Sequence, residues 1–176
     1  MTQAAVVPSS AATKLLQEAN ITKAPVNVEA LAARVGAMVS YDVLKEDLSG
    51  VLVKDKARVV IGVNSFHAKT RQRFTIAHEI GHLMLKHKGD VFVDQTVMRR
   101  DGRSAQAIDP QEIAANQFAA ELLMPRDFVI KAVQRWQAKR PDLSSISLVD
   151  ELAEEFQVSP QAMEYRLTNL GMFMPR

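Results

Sequence analysis

Residues 73–88 read RFTIAHEIGHLMLKHK and contain an H-E-x-x-H pattern at positions 78–82. Two histidines four residues apart lie on one face of a helix, one turn above each other. This spacing lets the imidazoles of His78 and His82 reach one metal ion. Glu79 lies roughly 100° round the helix from His78, so it can lean over the same ion without being a ligand. In zinc hydrolases a glutamate in this place takes a proton from the attacking water.

An amphipathic helix can also carry two histidines and a glutamate without any metal. The flanking residues favour the metal site, because apolar side chains lie on most sides of the segment, as in a buried helix. Buried ionisable histidines need partners or a metal. Gly81 costs about 1 kcal/mol of helix propensity relative to alanine, which predicts that another backbone or a substrate comes close there.

The composition is that of a soluble globular protein of one domain, or of one domain with a small appendage. The chain has 176 residues, of which 47% are hydrophobic and 24% are charged. The formal net charge of +2 is weak evidence for a nucleic-acid partner. The absence of cysteine excludes disulfides and thiolate metal sites and fits a reducing compartment. Residues 1–12 lack the basic and apolar regions of a signal peptide, and no segment reaches the ~18 apolar residues of a membrane span. We therefore expect a cytoplasmic protein.

The hydrophobic pattern predicts an α+β fold with a small antiparallel sheet of about three strands, and the H-E-x-x-H helix predicts a zincin-like helical core. Strands are expected at 38–43, 50–53 and 58–63, the last two as a hairpin. Helices are expected at 11–19, 28–35, 67–87, 109–123, 126–138, 147–156 and 159–169. Residues 90–109 lack periodicity and are predicted to form a solvated loop, with a flap over a cleft or a substrate-contacting loop as alternatives.

A catalytic site needs a third protein ligand beside the two histidines. On a continuous helix His87 lies about 500° past His82, off the ligand face, and His67 lies roughly 16 Å away along the axis from His78. Glu112 and Glu121 lie about 180° apart on a later helix, so only one can face the metal. Glu112 shares its face with small residues that permit close helix packing. It also sits where it would complete a capping box with Asp109, and spacing alone leaves these two interpretations open.

Two motifs together resemble the ImmA/IrrE family of zinc metallopeptidases. They are RFTIAHEIGH at 73–82 and EIAANQFAAELLMP at 112–125, and the resemblance extends over roughly residues 11–140. It implies that His78, His82 and Glu112 bind zinc and that Glu79 is the general base. Two histidines and one glutamate would accept manganese as well. The resemblance also implies a protein substrate, a transcriptional repressor of the helix-turn-helix type. Tyr41, Tyr165 and His87 are the available kinds of donor for the oxyanion.

Residues 148–167 have the layout of a helix-turn-helix. From 142 to 170 the chain carries six acidic side chains and one basic side chain, Arg166. Phosphate binding needs the reverse balance, so we expect this unit to pack on the core or to form part of a docking surface rather than to bind DNA. The expected division is a flexible tail at 1–12, a metallopeptidase core at 13–140 and helix-turn-helix-like helices at 141–176.

Two other functions compete with the enzyme. One is a regulator that binds a partner and whose metal is structural or absent. The intact H-E-x-x-H pattern disfavours it, because a structural site has no need of a base. The other is a DNA-binding regulator, which the charge of the C-terminal helices disfavours.

Overall fold

The computed structural model describes residues 10–95, 109–139 and 145–172, which form seven helices and a four-stranded sheet. The α+β class predicted from the sequence is confirmed. The helices are α1 (Ala11–Glu18), α2 (Val28–Arg34), α3 (Lys69–Met84), α4 (Pro110–Leu123), α5 (Arg126–Lys139), α6 (Ser145–Phe156) and α7 (Pro160–Asn169). The strands are β1 (Ala37–Asp42), β2 (Leu48–Lys54), β3 (Val59–Asn64) and β4 (Val91–Gln95). Within the described ranges, no helix is long and apolar enough to cross a membrane.

The sheet has the order β1-β3-β2-β4 and is mixed, not antiparallel as expected. The predicted hairpin is present, because β2 pairs antiparallel with β3 across a turn closed between Asp55 and Arg58. β1 lies on the far side of β3 and runs parallel to it. The pattern within a strand predicts which face it buries, but not which neighbour an edge strand takes.

The fourth strand, β4, occupies the start of the segment predicted to be a loop. It pairs antiparallel with β2, with Val51 opposite Val93 and a register shift between Leu48 and Gly50. The alternation of apolar and polar side chains over five residues is too short to identify β4 as a strand. The strand is defined by its pairing with β2. The remainder of the expected loop, residues 96–108, lies outside the described part of the chain.

Helix α3 lies at the centre of the fold and contacts α2, α4, β2 and β3. Its apolar residues Ile76, Ala77 and Ile80 are fully buried. The helix begins at Lys69, two residues later than expected, after a turn held by the Gln72 side chain. The amide nitrogen of Gln72 donates to the carbonyl oxygens of Ser65 and His67 at 3.1 and 2.9 Å.

The C-terminal end of α3 also differs from the expectation, because the helix stops at Met84 rather than at His87. The backbone N–H of Lys86 donates to the Leu83 carbonyl, and that of His87 donates to the His82 carbonyl, both at 3.1 Å. These are the two bonds of a Schellman motif, whose C′ residue adopts the left-handed conformation. Lys86 holds that position with φ of 54°. The chain therefore turns back on the end of the helix.

The last two helices contact the rest of the protein through polar and apolar groups. Arg166 of α7 pairs with Glu121 of α4 and donates to the Met124 carbonyl at 2.9 Å. Arg73 of α3 donates to the carbonyl of Gln157, between α6 and α7, at 3.1 Å. The expected break at 140–142 and residues 1–9 of the expected tail lie outside the described residues, so the proposed domain division stays a prediction. The same holds for the absence of DNA binding and for the cytoplasmic location.

Candidate metal centre

Three side chains that could hold a metal ion meet where the C-terminal end of α3 faces the first turn of α4. They belong to His78, His82 and Glu112, and one ligand atom from each lies within 4.8 Å of the others. The two Nε2 atoms of the histidines are 3.0 Å apart. The Glu112 carboxylate places Oε2 3.2 Å from Nε2 of His78 and Oε1 3.4 Å from Nε2 of His82. The two sequence motifs are thus brought together at one point.

These atoms have the spacing and chemistry that a divalent metal requires. Two ligands held 2.0–2.1 Å from a zinc ion in a tetrahedron are about 3.3 Å apart, which is close to the three separations in the structure. Two imidazoles and one carboxylate also form the ligand set of zinc hydrolases that keep one position open. The chemistry and the spacing of the three residues therefore fit such an ion.

Close packing of α3 on α4 makes the cluster possible. A Cβ atom added to Gly81 would lie 3.2 Å from both the Cα and the carbonyl oxygen of Ala115. Such separations are tighter than most real Cβ contacts. The expectation that another backbone approaches Gly81 is confirmed, and the small residues of α4 provide that approach.

The environment keeps His82 and Glu112 in the protonation states that bind a metal. Burial, together with the neighbouring His78, lowers the pKa of His82 to about 4, so the ring is neutral at pH 7. A hydrogen bond with His78 lowers the pKa of Glu112, which is therefore ionised. Neutral imidazoles and a carboxylate are the forms that bind metal ions.

Glu79, the expected general base, is fully buried one residue after His78. Its carboxylate lies towards β2, because a Cβ added to Gly50 would come within 3.7 Å of its Oε1 atom. Glu79 is not one of the three residues whose ligand atoms cluster. This placement fits a group that acts beside a metal rather than on it, and the role itself stays a prediction.

Each histidine of the cluster has a further partner on its Nδ1 atom. Nδ1 of His78 lies 3.0 Å from Oδ1 of Asn116 on α4. Nδ1 of His82 lies 3.0 Å from Nδ1 of His87. On a continuous helix His87 was expected to lie off the ligand face. The Schellman turn at Lys86 instead brings the His87 ring to His82. The contact of Asn116 with His78 could have been predicted from its position, because Asn116 lies one turn after Glu112 on the same face of the helix.

The other two residues considered as oxyanion donors, Tyr41 and Tyr165, are not members of the cluster. The Tyr41 hydroxyl donates to Glu29 at 2.7 Å, and burial raises the pKa of Tyr41 to about 12. Tyr165 is 71% exposed on α7. Of the three candidates, His87 is the one that contacts a member of the cluster.

The sequence profile of the family described as Peptidase M78, the IrrE N-terminal-like domain, matches residues 26–168. The match includes both motifs and all three clustered residues. The chain belongs to this family. The resemblance drawn from the two motifs is therefore confirmed, and the family together with the cluster implies a divalent metal.

Curated relatives match over part of their length. A radiation response metalloprotease IrrE of Deinococcus radiodurans is 34% identical over 114 residues, which cover 65% of this chain and 32% of that protein. The protein of the same name from Deinococcus deserti is 35% identical over 109 residues, 38% of its length. An uncharacterized immunity region protein of Bacillus phage phi105 is 28% identical over 101 residues, 60% of its length. The chain thus spans about a third of the two metalloproteases.

Proposed function

We propose that this chain is a zinc-dependent endopeptidase that cleaves a transcriptional repressor of the helix-turn-helix type. The observation that carries the proposal is the cluster of His78, His82 and Glu112, with buried Glu79 next to it on α3. Family membership supports the peptidase class, and two of the relatives are named as metalloproteases. The relative from a phage immunity region supports a substrate that takes part in repression.

We propose zinc rather than manganese as the ion at this site. A histidine and carboxylate ligand set accepts either ion, but manganese prefers six ligands in an octahedron. The three residues supply the two imidazoles and one carboxylate of zinc hydrolases that keep one position open, which favours zinc. When bound, zinc supplies Lewis-acid chemistry at the scissile carbonyl.

In this proposal the side chains of the site have two roles, metal binding and proton transfer. His78, His82 and Glu112 hold the ion, and the burial of the histidines excludes water from their side of the site. Glu79 takes a proton from the attacking water and returns it to the leaving amine. A glutamate used in this way must be ionised before the reaction and must stand clear of the metal's ligand positions. Glu79 meets the second condition, because its carboxylate lies towards Gly50.

The test separates metal binding from cleavage by using Glu79→Gln, which keeps the shape of the side chain and removes the base. We expect Glu79→Gln to retain zinc and to lose cleavage by roughly 10²–10⁴-fold, the usual contribution of general acid–base catalysis. His78→Ala should lose both zinc and cleavage. The substrate for the assay is a repressor encoded beside the gene for this chain, and zinc is measured in the purified proteins.

Two results would contradict the proposal. Full cleavage by Glu79→Gln would remove Glu79 from the chemistry. Zinc bound at full occupancy without cleavage by the unaltered chain, but with tight binding of the repressor, would favour the non-catalytic regulator instead.

A further inference from the structure

The turn after α3 places one side chain against the candidate metal ligand His82. His87 brings its Nδ1 atom to 3.0 Å from Nδ1 of His82, with the two ring centroids 4.9 Å apart and the rings inclined at 77°. This edge-on geometry is that of a hydrogen bond between two imidazoles, rather than of stacked rings. His87 is neither one of the three predicted metal ligands nor the predicted general base.

The proton of the His82 ring has one place available when the ring binds a metal. Nε2 of His82 faces the cluster, so its lone pair goes to the metal and the proton of the neutral ring lies on Nδ1. That N–H then donates to Nδ1 of His87, which must be an acceptor. The His87 ring therefore carries its own proton on Nε2.

The other histidine of the cluster has the same arrangement with a different acceptor. Nδ1 of His78 lies 3.0 Å from the amide oxygen of Asn116. Ligating histidines commonly donate their second N–H to a fixed acceptor, which sets the tautomer and orients the ring. The site thus contains two such pairs, one supplied by α4 and the other by the turn.

The backbone of His87 is anchored on both sides, so the acceptor is held in place. Its N–H donates to the His82 carbonyl at 3.1 Å, and its carbonyl accepts from Nζ of Lys54 on β2 at 2.9 Å. The ring of Phe92 on β4 packs against His82, with the centroids 4.4 Å apart. His82 is therefore confined between an apolar ring and a hydrogen-bond acceptor.

We infer that His87 is a positioning residue, which accepts the Nδ1 proton of His82 and thereby orients His82 for the metal. The inference rests on the proposed function in so far as that function requires a metal at His78, His82 and Glu112. It adds an outer partner to the site and assigns the tautomers of His82 and His87 when the metal is bound. Because it concerns metal binding, it can be tested without any substrate.

The test compares His87→Leu with His87→Asn in the full chain. Oδ1 of asparagine takes the place of Nδ1, whereas leucine has nearly the same shape as asparagine without the acceptor. Affinity for Zn²⁺ is measured by competition with a chromophoric chelator, and the ligand field is measured by the visible absorption of the Co²⁺-loaded protein. We expect His87→Leu to bind Zn²⁺ roughly 10–100-fold more weakly, the usual cost of losing an outer partner, and to show an altered Co²⁺ spectrum. His87→Asn should restore most of the affinity and the spectrum.

Three outcomes would overturn the inference. The first is that His87→Leu binds Zn²⁺ as tightly as the unaltered chain, with the same Co²⁺ spectrum, which would leave the proposed function intact. The second is that both variants bind equally weakly while the metal-free proteins unfold at the same temperature as the unaltered chain, which would show a role of the ring other than as an acceptor. Failure of the unaltered chain to bind Zn²⁺ or Co²⁺ would remove this inference and the proposed function together.

Discussion

The two helices that form the candidate site contribute to it from opposite ends and in different environments. α3 provides His78 and His82 from its last two turns, and their side chains are 3% and 1% exposed. α4 provides Glu112 from its first turn, and that side chain is 42% exposed. The C-terminal end of a helix favours a cation and the N-terminal end favours an anion. The helix dipoles therefore support a metal ion beside α3 and a carboxylate at the start of α4.

The two sides of the site should therefore respond differently to substitution. The histidines are part of the core, so a change there alters packing as well as metal binding. The Glu112 side chain is partly exposed to solvent and contacts the two histidines. A change at Glu112 should therefore act on the metal with little effect on folding, and the two sides can be separated by experiment.

The largest effect is expected from Glu112→Gln, which removes the charged ligand on the α4 side and keeps its shape. Zinc affinity should fall by more than the roughly 10–100-fold that an outer partner contributes, because a direct ligand is lost. Zinc at 100 times its dissociation constant should stabilise the unaltered chain by about 2.7 kcal/mol. The variant should show little of this stabilisation in thermal unfolding with and without zinc.

Glu121→Gln is the matched control on the same helix. Glu121 pairs with Arg166 of α7, and both side chains are largely buried, at 23% and 12% exposed. Its loss should cost roughly 1.5–3 kcal/mol of folding free energy, as for a hydrogen bond to a charged group, and leave zinc affinity unchanged. A loss of zinc affinity in Glu121→Gln equal to that in Glu112→Gln would contradict the separation of the two faces of α4.

A smaller effect is expected from Gly81→Leu, which tests the contact between the two helices. The added side chain would collide with the Ala115 backbone and with Phe118 of α4. Such overpacking typically costs about 1–3 kcal/mol, and moving α4 would carry Glu112 away from the histidines. We expect lower stability, measured by denaturant unfolding, together with weaker zinc binding.

Gly81→Ala provides the graded comparison for that experiment. Its Cβ requires a shift of a few tenths of an ångström, and alanine regains about 1 kcal/mol of helix propensity. Its stability should stay close to that of the unaltered chain. Unchanged cleavage and zinc binding in Gly81→Leu would show that the close approach of the helices is not needed for the site.

The sequence predicted the parts of the site that depend on helical periodicity. The four-residue spacing of His78 and His82 fixes their common face once the helix exists. The phase of α4 separated Glu112 from Glu121, and the structure places Glu112 at the histidines and Glu121 at Arg166. The choice between a capping box and a site residue needed the family resemblance, because both interpretations use the same position in the first turn.

The parts that were missed depend on contacts between distant residues or on an unusual turn. β4 is defined by its pairing with β2. The position of His87 depends on where α3 ends, and the residue that ends it is Lys86, whereas glycine is the usual signal. Gly89, three residues later, led to a helix extended to His87. On that extended helix His87 would point away from the metal ligands. Because the end of α3 was predicted at His87 rather than at Met84, the contact between His87 and His82 was not predicted.

The smallest effect is expected from Lys86→Gly, at the end of α3. Lys86 has φ of 54°, a left-handed conformation that costs a non-glycine residue roughly 1–2 kcal/mol. Glycine removes that cost but loses roughly 0.5–1 kcal/mol more backbone entropy on folding, so we expect a net gain on the order of 0.5–1 kcal/mol. Lys88→Gly is the control, because Lys88 is exposed and is not among the residues with positive φ, so glycine there should give no gain. Both variants are compared by denaturant unfolding without metal, and zinc affinity should be unchanged in both because His87 keeps its place. Destabilisation by Lys86→Gly would mean that the Lys86 side chain, rather than the turn it occupies, holds the end of α3.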